Sequence, residues 1–253
     1  MVKKLEYLSE LKTKLKKIKN NGYIPATRKG NTAIGKTLED CLNKEEDNKP
    51  KADFYDIEIK GKRKGSKSSV TLFTKSPTFP EQANSLLKDK YGAKKNNNTE
   101  KKIHTTIKAK KFNSFKKKTG FKLEVDREKK KLNILVKDLE KDIIIDDKIG
   151  YDFESFKPIF EDKIKNLAVV NATTKKTSEG EMFYYQDGYI YSEVNFDKFL
   201  DLVEQGKIAV DIRIGEYPDG KAHDHGTAFR IKSEDIKYMY NNYESLDDEI
   251  NKK

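Results

Sequence analysis

Three side chains within eight residues have the types and the spacing to handle a phosphate. In Asp53-Phe54-Tyr55-Asp56-Ile57-Glu58-Ile59-Lys60, the two-residue period of a strand puts Glu58 and Lys60 on one face and turns Ile57 and Ile59 toward a core. Asp53 stands five residues before Glu58, so a bend or a strand start has to bring it to that face. Two carboxylates converging beside a lysine hold a hard divalent cation through oxygen. The ammonium then orients or deprotonates a water and stabilises charge on a phosphate. The spacing alone is weak in a chain with 38 % charged residues, because an exposed strand face carrying an ion pair shows the same pattern.

A second constellation lies far downstream. His223 and His225 are two of only three histidines; they flank Asp224, with Gly226 next and Arg230 soon after. His-x-His on a strand can ligate a metal, but zinc wants a third and a fourth protein ligand, Cys41 is the single cysteine, and His104 is distant in sequence. Readout of base edges is the better-motivated use: Arg is bidentate to guanine, His donates or accepts, and Asp accepts from cytosine N4. Asp211 and Arg213, outward on their own strand, extend the set, although an Asp-x-Arg pair is also a simple intrastrand salt bridge. Lys62, Arg63, Lys64, Lys67 and Lys75 follow the first constellation and suit contacts to a phosphate backbone, which fix register without reading sequence.

The elements that must carry these residues are mixed. Leu5, Leu8, Leu11, Leu15 and Ile18 repeat at three and four residues, predicting a helix over 5–18 that ends at Asn20-Asn21-Gly22. Residues 32–42 predict a second helix with Ile34, Leu38, Cys41 and Leu42 inward, which makes Cys41 a small buried hydrophobe rather than a nucleophile. Strands are predicted at 53–60, 69–73, 121–125, 132–136, 143–145, 167–171, 182–185, 189–191 and 208–214. Helices are predicted at 84–91 and at 196–205, the latter closed by Gly206, and 153–164 is amphipathic. No period of 20–50 residues recurs.

Charge narrows the class. Lys and Arg number 53 against 42 Asp and Glu, a net +11 over 253 residues, which excludes an acidic solvating protein. The excess is clustered. Nine lysines and no acid fall between Lys101 and Lys122, and six bases and no acid between Lys60 and Lys75, whereas Glu234, Asp235, Glu244, Asp247, Asp248 and Glu249 make the C-terminal end acidic. Segregation of this kind favours a nucleic-acid surface over codon bias. The lysines of 101–122, interleaved with Phe112 and Phe115, read equally as a clamp over a duplex or as a solvated loop. No run approaches the roughly 18 apolar residues of a spanning helix. The N-terminus lacks a signal-peptide core and one cysteine forms no internal disulfide, so a reducing cytoplasm is expected.

Asp-x4-Glu-x-Lys is the core of the PD-(D/E)xK nuclease site. Together with Gly30-Asn31-Thr32-Ala33-Ile34-Gly35-Lys36-Thr37-Leu38-Glu39-Asp40, the run from Thr71 to Pro77, and the segments 210–215 and 223–231, it resembles the MvaI/BcnI family of type II restriction endonucleases. The resemblance is strongest over 29–92 and 206–231, and is more distant to the MutH-like repair nickases. It implies that Asp53 and Glu58, with Ile59 through its main chain, hold metal, that Lys60 is the catalytic lysine, and that Glu39 lines the site. It further implies Mg²⁺, one or two ions, in-line hydrolysis of double-stranded DNA to 5′-phosphate and 3′-hydroxyl ends, and a CC-N-GG type site, with A or T at the centre. A monomer is implied, with no membrane association, in a prokaryotic cytoplasm where a cognate DNA methyltransferase is a functional rather than a physical partner. Asp211, Arg213, His223, His225 and Arg230 would read bases, while Lys62, Arg63 and Lys75 hold the backbone. One departure is visible: family members often have Pro before the first Asp, whereas here it is Ala52, and Pro50 is the nearest proline.

The expected fold is therefore α/β, with a mixed sheet and a PD-(D/E)xK core in two lobes around a DNA-binding cleft. Residues 1–145 would form a catalytic lobe containing the basic loop at about 101–122, and 146–253 a recognition lobe. A MutH-like nickase and a non-catalytic DNA-binding module are the alternatives; the intact Asp53, Glu58 and Lys60 argue against the second.

Overall fold

The computed structural model describes residues 2–42, 52–94, 100–217, 219, 221–224 and 226–247, with side chains from residue 7 onward. In chain order the elements are α1 (Val2–Asn20), β1 (Ile24–Pro25), α2 (Ala33–Cys41), β2 (Ile57–Arg63), β3 (Val70–Thr74), α3 (Ala83–Tyr91), β4 (Ala93–Lys94), β5 (Lys101–Ile107), β6 (Thr119–Asp126), β7 (Lys131–Asp138) and β8 (Ile143–Asp152). There follow β9 (Asn166–Thr177), β10 (Gly180–Val194), α4 (Phe196–Glu204), β11 (Ile208–Glu216), β12 (Ala222–Asp224), β13 (Ala228–Ile231) and β14 (Tyr240–Ser245). This is the mixed α/β architecture expected from the sequence.

Contacts divide the chain into two compact units. The first takes Met1–Ser68, Pro158–Asn195 and Tyr240–Lys253; the second takes Ser69–Lys157 and Phe196–Met239. A single cut at residue 145 does not coincide with this division, and strand pairing explains why. β2 lies parallel to β9, with Glu58 opposite Leu167 and Lys60 opposite Val169. Parallel neighbours need a crossover, and the chain makes it by way of 69–157 before returning to the first sheet.

In the first unit the sheet order is β1–β10–β9–β2, with β14 also on β10. Leu11, Leu15 and Ile18 of α1 and Ile34, Leu38 and Leu42 of α2 form one core with Ile57, Ile59, Ala168, Val170, Ala172, Phe183 and Tyr185. Each such Leu or Ile contributes about 1.5–3 kcal/mol by leaving water. Gly61 lets α2 sit directly on β2: a Cβ there would stand 2.9 Å from the Ile34 carbonyl oxygen and 3.3 Å from the Gly35 Cα. The Tyr185 hydroxyl donates to that same Ile34 carbonyl at 2.7 Å.

The second unit holds a sheet of order β3–β13–β11–β5–β4, with β12 beside β11, and a meander β6–β7–β8. On β11 the alternation is strict: Ile208, Val210, Ile212 and Ile214 are fully buried, while Asp211 and Arg213 face the other way. Phe73, Tyr151, Phe156 and Phe229 fill the core, with Phe73 stacked on Phe229 at 4.7 Å and Phe156 edge-on to it at 5.5 Å.

Several expectations are revised. Residues 101–107 are strand β5 rather than part of a basic loop, because Ile103 and Ile107 fall on the core face between the lysines. The amphipathic 153–164, which the sequence alone does not assign, is helical with a 3-10 turn at Phe153–Phe156 and a π-helical turn at Ile159–Lys163; Pro158 between them has no N–H to donate into the ladder. The stretches 182–185 and 189–191 are one strand, β10, with a bulge between Tyr185 and Asp187. Cys41 is half-buried rather than buried; burial raises its thiol pKa, which fits an unreactive side chain. Among the described residues no helix is long and apolar enough to cross a membrane.

Candidate active site and recognition face

The bend that Asp53 requires is a two-residue hairpin. Phe54 and Ile57 exchange both main-chain hydrogen bonds, at 2.9 and 2.8 Å, with Tyr55 and Asp56 at the tip. Tyr55 has φ of +54°, a left-handed conformation that favours glycine. Its ring stacks on Tyr7 of α1 at 3.9 Å and meets Phe54 edge-on at 5.0 Å. Asp56 accepts from the Asn166 amide at 2.9 Å, tying the tip to β9. The turn folds Asp53 back along β2, where its Oδ2 accepts the Ile59 N–H at 3.0 Å.

That hydrogen bond defines an edge. β2 is a terminal strand of its sheet among the described residues, and Ile59 turns its N–H outward to Asp53. The N–H and C=O of one strand residue point to the same side, so the Ile59 carbonyl faces the Asp53 edge as well. Glu58, on the opposite face from Ile57 and Ile59, is 1 % exposed. Its Oε1 accepts from the Lys60 ammonium and lies 3.7 Å from the Lys163 ammonium. Its Oε2 is buried without a hydrogen-bond partner among the described residues.

Burial pushes the Glu58 carboxyl above its ordinary range; Lys60 pulls it down, the Asp53 charge pushes it up again and Lys163 pulls it down, with a net rise. Tyr240, wholly buried nearby, donates its hydroxyl to the Ile164 carbonyl at 2.9 Å. Burial and then the charge on Glu58 hold its phenol well above the usual value. An orphaned carboxylate oxygen in this setting is destabilising unless something meets it. A hard divalent cation fits: it prefers oxygen and tolerates few protein ligands when water and phosphate complete its shell. No group of three or more His, Cys, Asp and Glu side chains suited to a metal occurs among the described residues. Asp53, Glu58 and the Ile59 carbonyl offer oxygens that could contribute to such a shell.

The remaining expected site residues differ in their surroundings. Glu39 is half-buried on α2, one turn beyond Gly35 and so on the helix face that meets β2. Lys62 is half-buried on β2. Arg63 is engaged within the protein, bonded to Glu181 at 2.8 Å and to the Asn31 carbonyl at 3.3 Å. Lys75, in the second unit, donates its main-chain N–H to Thr227 at 2.9 Å. Its ammonium lies 5.9 Å from the Phe156 ring, and burial lowers its pKa. Lys163 carries no signal in the sequence, being one lysine among many and far from Glu58 along the chain; the π-helical turn delivers it. Pro50 and His225 lie outside the described residues.

In the second unit, Asp211, Arg213, His223 and Arg230 share one face of the sheet. Arg230 donates to Asp211 at 2.8 Å and to the Ser69 carbonyl at 3.1 Å, and the Thr106 hydroxyl donates to the other Asp211 oxygen at 2.6 Å. Asp211 therefore pairs with Arg230 across strands rather than with Arg213 along its own. Arg213 donates to the Gly226 carbonyl at 2.8 Å. Gly226 has φ of +91°, and a Cβ there would come within 3.2 Å of Thr74. His223 stacks on Tyr217 at 4.2 Å. Asp224 ties the neighbourhood together, accepting from Ser76, Asn84 and the Gly226 N–H at 2.5, 2.9 and 2.8 Å.

A strand carboxylate and lysine with a second carboxylate folded back beside them, and a separate face of arginine and histidine, is the division of labour of a nuclease that chooses its site. The sequence profile of the MvaI/BcnI restriction endonuclease family matches residues 12–240. This chain belongs to the MvaI/BcnI family. Its fold is similar to that of a restriction endonuclease MvaI–cognate DNA substrate complex, with 37 % identity and a TM-score of 0.86 over 96 % of this chain and 99 % of that one. It is also similar to restriction endonuclease MvaI in the absence of DNA, with 36 % identity and a TM-score of 0.66 over 96 % and 98 % of the two chains. No curated protein sequence matches. As a member of the MvaI/BcnI family, the protein is a site-specific deoxyribonuclease.

Proposed function

We propose that this enzyme hydrolyses both strands of double-stranded DNA at a CC-N-GG type site, with A or T at the centre, and leaves 5′-phosphate and 3′-hydroxyl ends. The observation that carries the chemistry is the buried Oε2 of Glu58, without a hydrogen-bond partner among the described residues, beside Asp53 and the Ile59 main chain. These three groups would hold Mg²⁺, one or two ions. When bound, the ion supplies positive charge against the scissile phosphate and lowers the pKa of water. Lys60, tethered to Glu58, orients the attacking water and stabilises charge on the phosphate. Glu39, on the α2 face toward β2, helps to order the site from the helix side. Lys163 holds the shared oxygen of Glu58 from the other element.

Recognition falls to the polar face of the second sheet, with Arg213, His223 and Arg230 addressing bases and Asp211 holding Arg230 in its orientation; His225, outside the described residues, joins the same proposed set. The cognate complex of the similar MvaI supports a DNA substrate, and the Arg- and His-rich set suits guanine and cytosine edges. Lys62, Arg63 and Lys75 hold the phosphate backbone. The enzyme works as a monomer in a prokaryotic cytoplasm, where methylation by a cognate methyltransferase protects the host's own sites.

Incubating the purified protein with a plasmid carrying one CC-A/T-GG site and MgCl₂, then sequencing the ends, tests this reading. Linear product with 5′-phosphate ends at that site is expected. Persistent nicked circles would instead indicate a MutH-like nickase, and gel retardation without cleavage a binding module.

A further inference from the structure

The polar face of the second sheet extends across a strand that the recognition set above does not use. β5 runs antiparallel to β11, with His104 directly opposite Arg213 and Thr106 directly opposite Asp211. Opposed residues of an antiparallel pair share a face, with Cβ atoms roughly 4.5–5.5 Å apart. Ile103 and Ile107 are fully buried, so His104 and Thr106 project from the other side of β5, where both are exposed. β11 lies between β5 and β12. Arg213 therefore has His104 on one flank and, one step along on the other, His223 opposite Gly215.

This platform is held firmly. One Asn113 side chain donates to the Thr105 hydroxyl and to the Thr106 carbonyl, both at 2.7 Å, and accepts the Phe121 N–H at 2.9 Å, locking β5 to β6. A side chain on a rigid strand is placed more accurately than one on a loop. A neutral imidazole offers one donor and one acceptor, which can meet guanine N7 or cytosine N4 in the major groove.

We infer that His104 is a specificity-determining residue, reading the edge of the G·C pair next to the one addressed by Arg213. The inference rests on the proposed recognition face, and the test separates the two. His104→Ala, His104→Gln and Arg213→Ala are compared in competition binding, at fixed salt, with a CC-A/T-GG duplex and duplexes altered at one base pair at a time. His104→Ala is expected to lose about tenfold discrimination at one position of the site only, with melting temperature and non-specific binding unchanged. His104→Gln, which keeps a donor and an acceptor, is expected to restore part of it. If His104→Ala discriminates like the parent at every position while Arg213→Ala does not, the inference is wrong and the recognition face stands. If both discriminate like the parent, the face falls too. Equal weakening on all duplexes would make His104 a phosphate contact and overturn its role as a reader.

Discussion

The nuclease strand and the recognition face place their charged groups in opposite ways. At β2 the proposed chemistry comes from eight consecutive residues, folded back on themselves by the Phe54–Ile57 turn and joined by one lysine from elsewhere. It leaves a buried carboxylate oxygen without a partner among the described residues. On the second sheet the proposed reading groups come from three successive strands, β11 to β13, and are already held within the protein: Arg230 by Asp211, Asp211 by Thr106 of β5, Arg213 by the Gly226 carbonyl. The first region is built to need a ligand. The second is organised before any ligand arrives, which lowers the entropy lost on binding.

The largest expected effect tests the local side of that contrast. Lys60→Ala or Asp53→Ala should lower the single-turnover cleavage rate at least about a thousandfold, with specific duplex binding retained. A Lys60→Ala protein that cuts at the parental rate would remove Lys60 from the chemistry. Arg213→Ala tests the assembled side: the cognate affinity should fall about 10- to 100-fold, as for loss of a bidentate base contact, and the cleavage rate at saturating DNA should change little. Lys163→Ala should be milder, about tenfold in rate. Removing a cation beside Glu58 leaves that carboxyl with a still higher pKa, so the acidic limb of the pH–rate profile should move to higher pH. An unchanged profile would make Lys163 a bystander.

The smallest effect concerns stability. The Glu58 pKa is raised on folding from an ordinary 4.5. The folded state therefore binds more protons between 4.5 and the raised value, and the stability of the metal-free protein falls as pH rises through that window. Glu58→Gln removes the buried charge. At neutral pH without metal it should melt higher than the parent by about a few degrees, while MgCl₂ should stabilise only the parent. A variant that melts lower would show that the Lys60 and Lys163 pairs outweigh the burial penalty.

Much of this was legible in the sequence where periodicity is strong. Leu11, Leu15 and Ile18 marked α1, and the alternation from Ile208 to Ile214 marked β11 with its outward Asp211 and Arg213. The Glu58–Lys60 pair followed from the strand period alone. Lys101–Ile107 was hidden because its two core isoleucines are embedded among lysines, and composition drew the eye to charge rather than to alternation. Lys163 and the Arg230–Asp211 pair were hidden for another reason: both depend on how separate elements pair in three dimensions, which no local pattern encodes. The interleaving of the two units likewise follows from β2 choosing β9 as its parallel partner.

β2 ends its sheet among the described residues, and an exposed strand edge is an invitation for another chain to add itself. Here the outward N–H of Ile59 is occupied by Asp53, and the strand carries Glu58, Lys60, Lys62 and Arg63 within seven residues. The carboxylate proposed to hold metal thus also occupies the N–H that an added strand would use. Losing Asp53 should therefore reduce solubility at high protein concentration as well as cleavage, tying the catalytic sequence to the ability of the protein to stay in solution.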